Sequence, residues 1–211
     1  MAASTLQADF LFEGTFSTDD QVQLFDFTLT SDAIVTFQTY GYGGATIPPS
    51  TVIPAGGFES LLTWFGSGGT MIGSSLSFGC GSGNTYAGAC LDASGSQNFL
   101  PGAYTLALTQ FGNTSNGVGL PGDLSLGFSE QGQGNYTPGT TGDPNCTAFC
   151  GTQGTQENGN WAVDISNVSS AVVPGSTPEP VTILLAGCGL ALIGLAKRRR
   201  VNQNIKSGGR L

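Results

Sequence analysis

The chain has 211 residues, of which 34 are Gly, 39 % are hydrophobic and only 9 % are charged. All 14 acidic residues lie at or before Glu179 and all six basic residues at or after Lys197, so residues 1–196 carry a formal charge of −14 and no positive group. That balance excludes nucleic-acid binding, which needs cations against the phosphate backbone, and leaves nothing to clamp an anionic substrate; the hydrophobic content, with 13 Phe, excludes a disordered chain.

Residues 1–7 have neither a charged n-region nor an apolar h-region. They read as the start of a mature chain after an Ala-rich cleavage site, so a signal peptide is expected to have preceded them. Between residues 8 and 170 the hydrophobic period is two, which predicts strands. Phe10 and Phe12 alternate with Asp9 and Glu13; Phe25, Phe27 and Leu29 with Asp26 and Thr28; Val35 and Phe37 with Thr36 and Gln38. Tyr104, Leu106 and Leu108 form a further strand, Leu124, Leu126 and Phe128 another, and Trp161, Val163 and Ile165 the last. Gly- and Pro-rich turns at 41–44, 48–49, 55–57, 66–69, 100–102 and 120–122 separate the runs. One apolar and one wet face per strand predicts an all-β antiparallel sandwich over 8–168, with the polar stretch 130–160 as a loop insertion. Residues 169–177 read as a linker.

Four cysteines lie in the polar part. Nine residues separate Cys80 from Cys90 and three separate Cys146 from Cys150. These spacings do not form two zinc knuckles, so disulfides are expected, with local closure of each pair favoured over the other two pairings. Cys188 falls within the apolar tail segment.

The C-terminal end has three elements in succession. Pro178-Glu179-Pro180 breaks any helix or ladder. Residues 181–196 are uncharged, and eight of the 16 are Leu, Ile or Val. As a helix they would span about 24 Å, a short transmembrane segment that Lys197 extends by snorkelling. Lys197, Arg198, Arg199 and Arg200 then hold their end in the cytoplasm and place residues 1–180 outside. A polar cytoplasmic tail, 201–211, follows.

The motif, the apolar helix and the basic cluster, in this order over residues 176–200, resemble the PEP-CTERM sorting signal of Gram-negative bacteria. The resemblance implies an exosortase, a membrane cysteine peptidase acting at Pro178-Glu179-Pro180, and a host that makes exopolysaccharide or biofilm matrix. The tail 201–211 departs from the family, whose members usually stop sooner. Over residues 10–168, "FEGTFSTDDQVQLFDFTL", "GGFESLLTWFGSGGTMIG", "LPGAYTLALTQFGN" and "GNWAVDISNV" resemble extracellular domains found ahead of such tails and bacterial pre-peptidase C-terminal domains. This implies a jelly-roll-like sandwich with an accessory role and brings no catalytic residues.

The chain has no His, which removes Ser-His-Asp and Cys-His catalysis. Asp19, Asp20, Asp26 and Asp164 are the acids considered for a glycoside-cleaving pair, although strands display acids on wet faces in any case. No enzyme activity is expected, and no cofactor. Calcium is the one ion considered, with Asp19 and Asp20 as candidate ligands in a domain whose acids have no basic partners; the plainer reading of Asp19-Asp20 is a solvated turn. Tyr40, Tyr42 and Trp64 lie near Gly-rich turns where aromatic rings stack on sugars, though Trp64 reads better as core. Asn113, Asn135, Asn145 and Asn167 match N-x-S/T, as expected by chance in this composition. The expected role is an exported, non-catalytic surface or matrix protein at the inner membrane, then the cell surface, with exopolysaccharide as partner. The alternative is a membrane-anchored binding module that depends on carbohydrate or calcium.

Overall fold

A computed structural model describes residues 7–76, 83–117, 122–142 and 144–175. Eleven strands occur in order: β1 Ala8–Thr15, β2 Val22–Leu29, β3 Ala33–Thr39, β4 Ala45–Ile47, β5 Thr51–Ile53, β6 Ser60–Phe65, β7 Met71–Leu76, β8 Ser94–Phe99, β9 Gly102–Gln110, β10 Asn160–Val168 and β11 Ser170–Val172. They form two antiparallel sheets, β1-β10-β3-β8 and β11-β2-β9-β6-β7, and a small hairpin of β4 and β5. The all-β antiparallel expectation holds. Outside the hairpin, the chain changes sheet at nearly every connection, so both sheets are stitched from strands distant in sequence.

The period-two pattern explains the core. In β2, Phe25, Phe27 and Leu29 are buried while Asp26 and Thr28 face out. In β3 and β10, the inward set is Val35, Phe37, Trp161, Val163 and Ile165. These faces meet across the sheets. Phe27 of β2 lies edge-on to Phe37 of β3 at 5.6 Å, and Phe25 edge-on to Trp161 of β10 at 5.8 Å, the geometry that the aromatic quadrupole favours. Trp64 of β6 is buried and lies 5.1 Å from Phe37. Trp64 is therefore core.

The outer faces are held without ion pairs. Thr28 and Ser170 stand opposite each other and their hydroxyls meet at 2.7 Å. Thr36 and Ser96 do the same at 3.1 Å. Thr105 donates to Asp26 Oδ1 across its register pair at 2.9 Å. Directly opposed polar pairs of this kind stabilise a sheet as opposite charges would.

Both tryptophans cover a glycine on an edge strand. Trp161 stands opposite Gly14 of β1, and Trp64 opposite Gly73 of β7. A Cβ on Gly14 would lie 2.2 Å from Trp161 Cζ2, and one on Gly73 2.4 Å from Trp64 Nε1. Each ring thus occupies the space its neighbour's missing side chain leaves, which pins the register of an edge.

Three expectations change. Leu124, Leu126 and Phe128 do not form a strand. Asp123 accepts from Ser125 N at 2.8 Å and starts a 3-10 turn, Leu124–Leu126, which Gly127 ends at φ 69°. That turn brings Phe128 edge-on to Phe65 and covers a second, smaller cluster with Ala107 on the other face of the β9-β6 pair. The insertion 130–160 holds a short helix, α1 Thr137–Thr141. The expected linker 169–177 begins with β11, which pairs with β2, so the sheet runs past residue 168. No helix among the described residues is long and apolar enough to cross a membrane. The motif Pro178-Glu179-Pro180, the expected span 181–196 and Lys197–Arg200 lie outside the described residues, as does Cys80.

Gly73→Ala and Gly14→Ala are each expected to destabilise by about 2 kcal/mol, because a Trp ring must leave its place. Gly68→Ala, with nothing within 4 Å of the added methyl, should be near neutral. Urea unfolding of the three variants checks this; equal effects would show that the rings do not set these edges.

Candidate functional site

Residues 7–175 contain no Lys, Arg or His, so a carboxylate that folds inward finds its compensation in N–H and O–H donors. Asp19 and Asp20, in the β1–β2 connection, are both buried, Asp19 fully. The solvated turn is thus corrected: these acids anchor the insertion. Asp19 Oδ1 accepts from Tyr136 N at 2.7 Å, and Oδ2 accepts from Thr137 N at 3.3 Å, Phe149 N at 3.1 Å and the Thr137 hydroxyl. The carboxylate sits at the start of α1, where the helix dipole favours a negative group. Asp20 Oδ2 accepts from Gly132 N at 2.8 Å and Gly134 N at 3.0 Å. Burial pushes the Asp20 carboxyl up, but hydrogen bonds from Thr18, Gly134 and Gly132 outweigh it and hold the group below the usual range.

Asn113, also fully buried, continues the link. Its amide donates to Asp20 O at 3.0 Å, and its Oδ1 accepts from Glu130 N at 3.0 Å. A buried, doubly bonded Asn113 does not serve as a glycan acceptor. Asn135 is exposed and accepts from Asp19 N at 3.1 Å; Asn145 and Asn167 are also exposed.

A second set of acids, Asp92, Glu59 and Glu157, is buried too. Asp92 accepts from Thr39 Oγ1 at 3.0 Å, Tyr42 N at 3.1 Å and Gly43 N at 2.8 Å, closing the turn after β3. Glu157 Oε2 accepts from Glu59 N at 3.0 Å, and Glu59 Oε1 from Thr152 N at 2.8 Å. Burial, and then the charge of Glu59, push Glu157 up to about 8. Neutralising one member relieves a like-charge pair that has no cation to separate it.

The insertion is closed by the disulfide Cys146–Cys150, with Cα atoms 5.8 Å apart. Cys90 is disulfide-bonded as well. Phe149, between the two bonded cysteines, stacks on Phe58 at 5.8 Å and joins the main core. So the segment expected as a polar loop is fastened by Asp19, Asp20, Glu59, a disulfide and one buried ring.

Between this segment and the ends of β6 and β9 lies a cavity of about 590 Å³, within the range of small-ligand sites. Its polar wall has the carboxylates of Glu59 and Glu130, Gln110, and Thr140 and Thr141 of α1. Both threonine hydroxyls donate to Thr137 O, at 2.9 and 3.0 Å. Phe111 and Tyr136 also line it; the Tyr136 hydroxyl donates to Phe111 O at 2.7 Å, which fixes the ring. Gln110 is buried, yet its side-chain Oε1 has no hydrogen-bond partner. An unpaired buried carbonyl costs about 1–3 kcal/mol.

Asp26 and Asp164 do not join Asp19 and Asp20. Asp26 is on β2 and bound to Thr105, Asp164 on β10 of the other sheet, where Ser166 donates to it at 2.8 Å. The described residues contain no group of three His, Cys, Asp or Glu placed to hold a metal ion. Tyr42 is fully buried and Tyr40 half-buried, so neither is an open stacking platform. The cavity residues Gln110, Tyr136 and Glu59 escaped sequence reasoning, since no local motif joins positions drawn from three separate segments. No family model matches the chain, and neither does any curated protein.

Asp19→Ala leaves the Tyr136, Thr137 and Phe149 amides without their acceptor and should cost about 3 kcal/mol. Hydrogen exchange should quicken at those amides and not in β2 or β9; unchanged protection there would refute the anchoring role. Glu157 keeps its proton up to about pH 8 when folded and loses it near 4.5 when unfolded. Between these values the unfolded chain binds fewer protons, so this contribution is full below about 4.5 and is lost as pH rises through about 8. Glu157→Gln should flatten the decline and raise the melting temperature at pH 8 by roughly 5 °C. A decline identical to the wild type's would assign it to general charge repulsion.

Proposed function

We propose that this chain is an exported surface or matrix protein whose segment 178–200 is a PEP-CTERM sorting signal. An exosortase-type peptidase in the inner membrane cuts at Pro178-Glu179-Pro180 and releases a non-catalytic β domain to the cell surface, among exopolysaccharide. The observation that carries this reading is the order of three unlike elements at the C-terminus: a double-proline break, 16 uncharged residues, and Lys197-Arg198-Arg199-Arg200.

The domain's own chemistry is consistent with this. The Cys146–Cys150 disulfide suits an oxidising compartment outside the cytoplasm. A domain with 1–196 free of cations and a tail that holds every basic residue matches the asymmetry of a protein whose positive end stays inside. The strand orders β1-β10-β3-β8 and β2-β9-β6-β7 support a jelly-roll-like sandwich, since the chain crosses between sheets at nearly every turn. The accessory role is supported by the absence of His from the chain and by Asp19, Asp20 and Asp92, whose carboxylates are taken up by backbone amides.

The test is the intact mass and location of the protein exported behind a signal peptide, with Pro178-Glu179-Pro180 native or replaced by Ala. The native chain should lose a C-terminal fragment of about the tail's mass and leave the inner membrane while the variant stays. If both remain full-length and membrane-bound, residues 181–196 are only an anchor and the sorting role is refuted.

A further inference from the structure

We propose that the cavity between α1 and the ends of β6 and β9 is a binding site for a neutral saccharide. The inference deepens the reading above, which places the domain among polysaccharide, but its geometry stands apart from how the tail is processed.

Glu59 and Glu130 line the cavity, and residues 1–196 offer no cation. A carboxylate, phosphate or sulfate ligand would meet only like charge there. A metal ion would need a cluster of acids that the described residues lack. The acceptors in the wall match a neutral ligand rich in hydrogen-bond donors, with an organic cation, which two carboxylates also attract, as the competitor that the experiment separates. The polar wall is rich in acceptors: two carboxylates, the oxygens of Thr140 and Thr141, whose protons are already committed to Thr137 O, and the amide of Gln110. Sugar hydroxyls are donors of this kind and accept in return from the Gln110 NH2.

Gln110 is the independent sign. It sits at the end of β9, 1 % exposed, and its Oε1 has no partner; Asp20 Oδ1, Ser115 Oγ and Trp161 Nε1 are buried in the same state, but of the four only Gln110 lines this cavity. A group held in that state by a rigid strand is complementary to something that enters from the cavity. The aromatic part of the lining suits the other half of a sugar. Phe111 and the locked ring of Tyr136 offer carbon surface to C–H faces. At about 590 Å³ the space takes one or two pyranose rings rather than a long chain.

The experiment is equilibrium binding of the full-length chain in lipid nanodiscs, which avoids sugar detergents, to trimers of glucose, mannose, galactose and N-acetylglucosamine. Trigalacturonate and spermidine serve as the anionic and cationic comparisons. At least one neutral trimer should bind saturably, with the anion excluded. Gln110→Met should weaken that binding at least about tenfold while leaving the melting temperature unchanged or higher, because it removes an unpaired group. Glu130→Gln, at the half-buried rim, should weaken it less. No binding of any neutral trimer at about 10 mM overturns the proposal. So does preferential binding of spermidine, which would make the cavity a cation site, or saccharide binding that Gln110→Met leaves intact, which would place it elsewhere. None of these outcomes depends on cleavage at Pro178-Glu179-Pro180.

Discussion

The structure depends on one constraint, that a domain carrying 13 of the chain's 14 acidic residues has no side-chain cation to set against them. Acids on outer faces stay in water. Acids that fold inward need donors, and the backbone is the largest supply. Asp19, Asp20, Asp92, Glu59 and Glu157 each gather N–H groups from residues distant in sequence, as Asp19 does from Tyr136, Thr137 and Phe149. At Asp20 such bonds outweigh burial and hold the carboxyl below its usual range. Glu157, beside Glu59, resolves the same problem by holding a proton. The acids that look like surface decoration are therefore the pegs on which the irregular segments hang.

The same scarcity of charge shapes the sheets. Where other proteins place lysine and glutamate across from one another, this one places hydroxyls: Thr28 with Ser170, Thr36 with Ser96, Thr105 with Asp26. Edge strands β1 and β7 are each held by a tryptophan lying over a glycine. Both devices work through short-range contacts that salt does not screen. The price is glycine in strands, which the buried rings offset.

The division of labour follows from this. The sandwich is a rigid frame whose interior is filled with aromatic side chains. The insertion, pinned by Asp19, Asp20, Glu59 and the Cys146–Cys150 disulfide, stands over one end of β6 and β9 and encloses a cavity with an unpaired amide in its wall. Loops held this firmly on a scaffold are where binding sites form.

By itself the sequence determined what depends on neighbours along the chain. Phe25, Phe27 and Leu29, or Trp161, Val163 and Ile165, declare strands and their inner faces because a strand's side-chain period is two. The missing cations and the Cys146–Cys150 pair are equally local. Where local pattern misled, a long-range partner decided. Leu124, Leu126 and Phe128 have strand spacing, but Asp123 and Gly127 fold them into a turn that packs Leu124 and Phe128 with Phe65 and leaves Leu126 exposed. Ser170–Val172 reads as linker until β2 supplies its ladder. β8, with the sequence SGSQNF, has no apolar alternation and is a strand only because β3 lies beside it. Asp19-Asp20 reads as a wet turn because its partners lie more than 110 residues away. The cavity was invisible for the same reason: Glu59, Gln110 and Tyr136 meet only after two sheets have packed and the insertion has closed over them, and no spacing along a chain encodes a meeting that the tertiary fold creates.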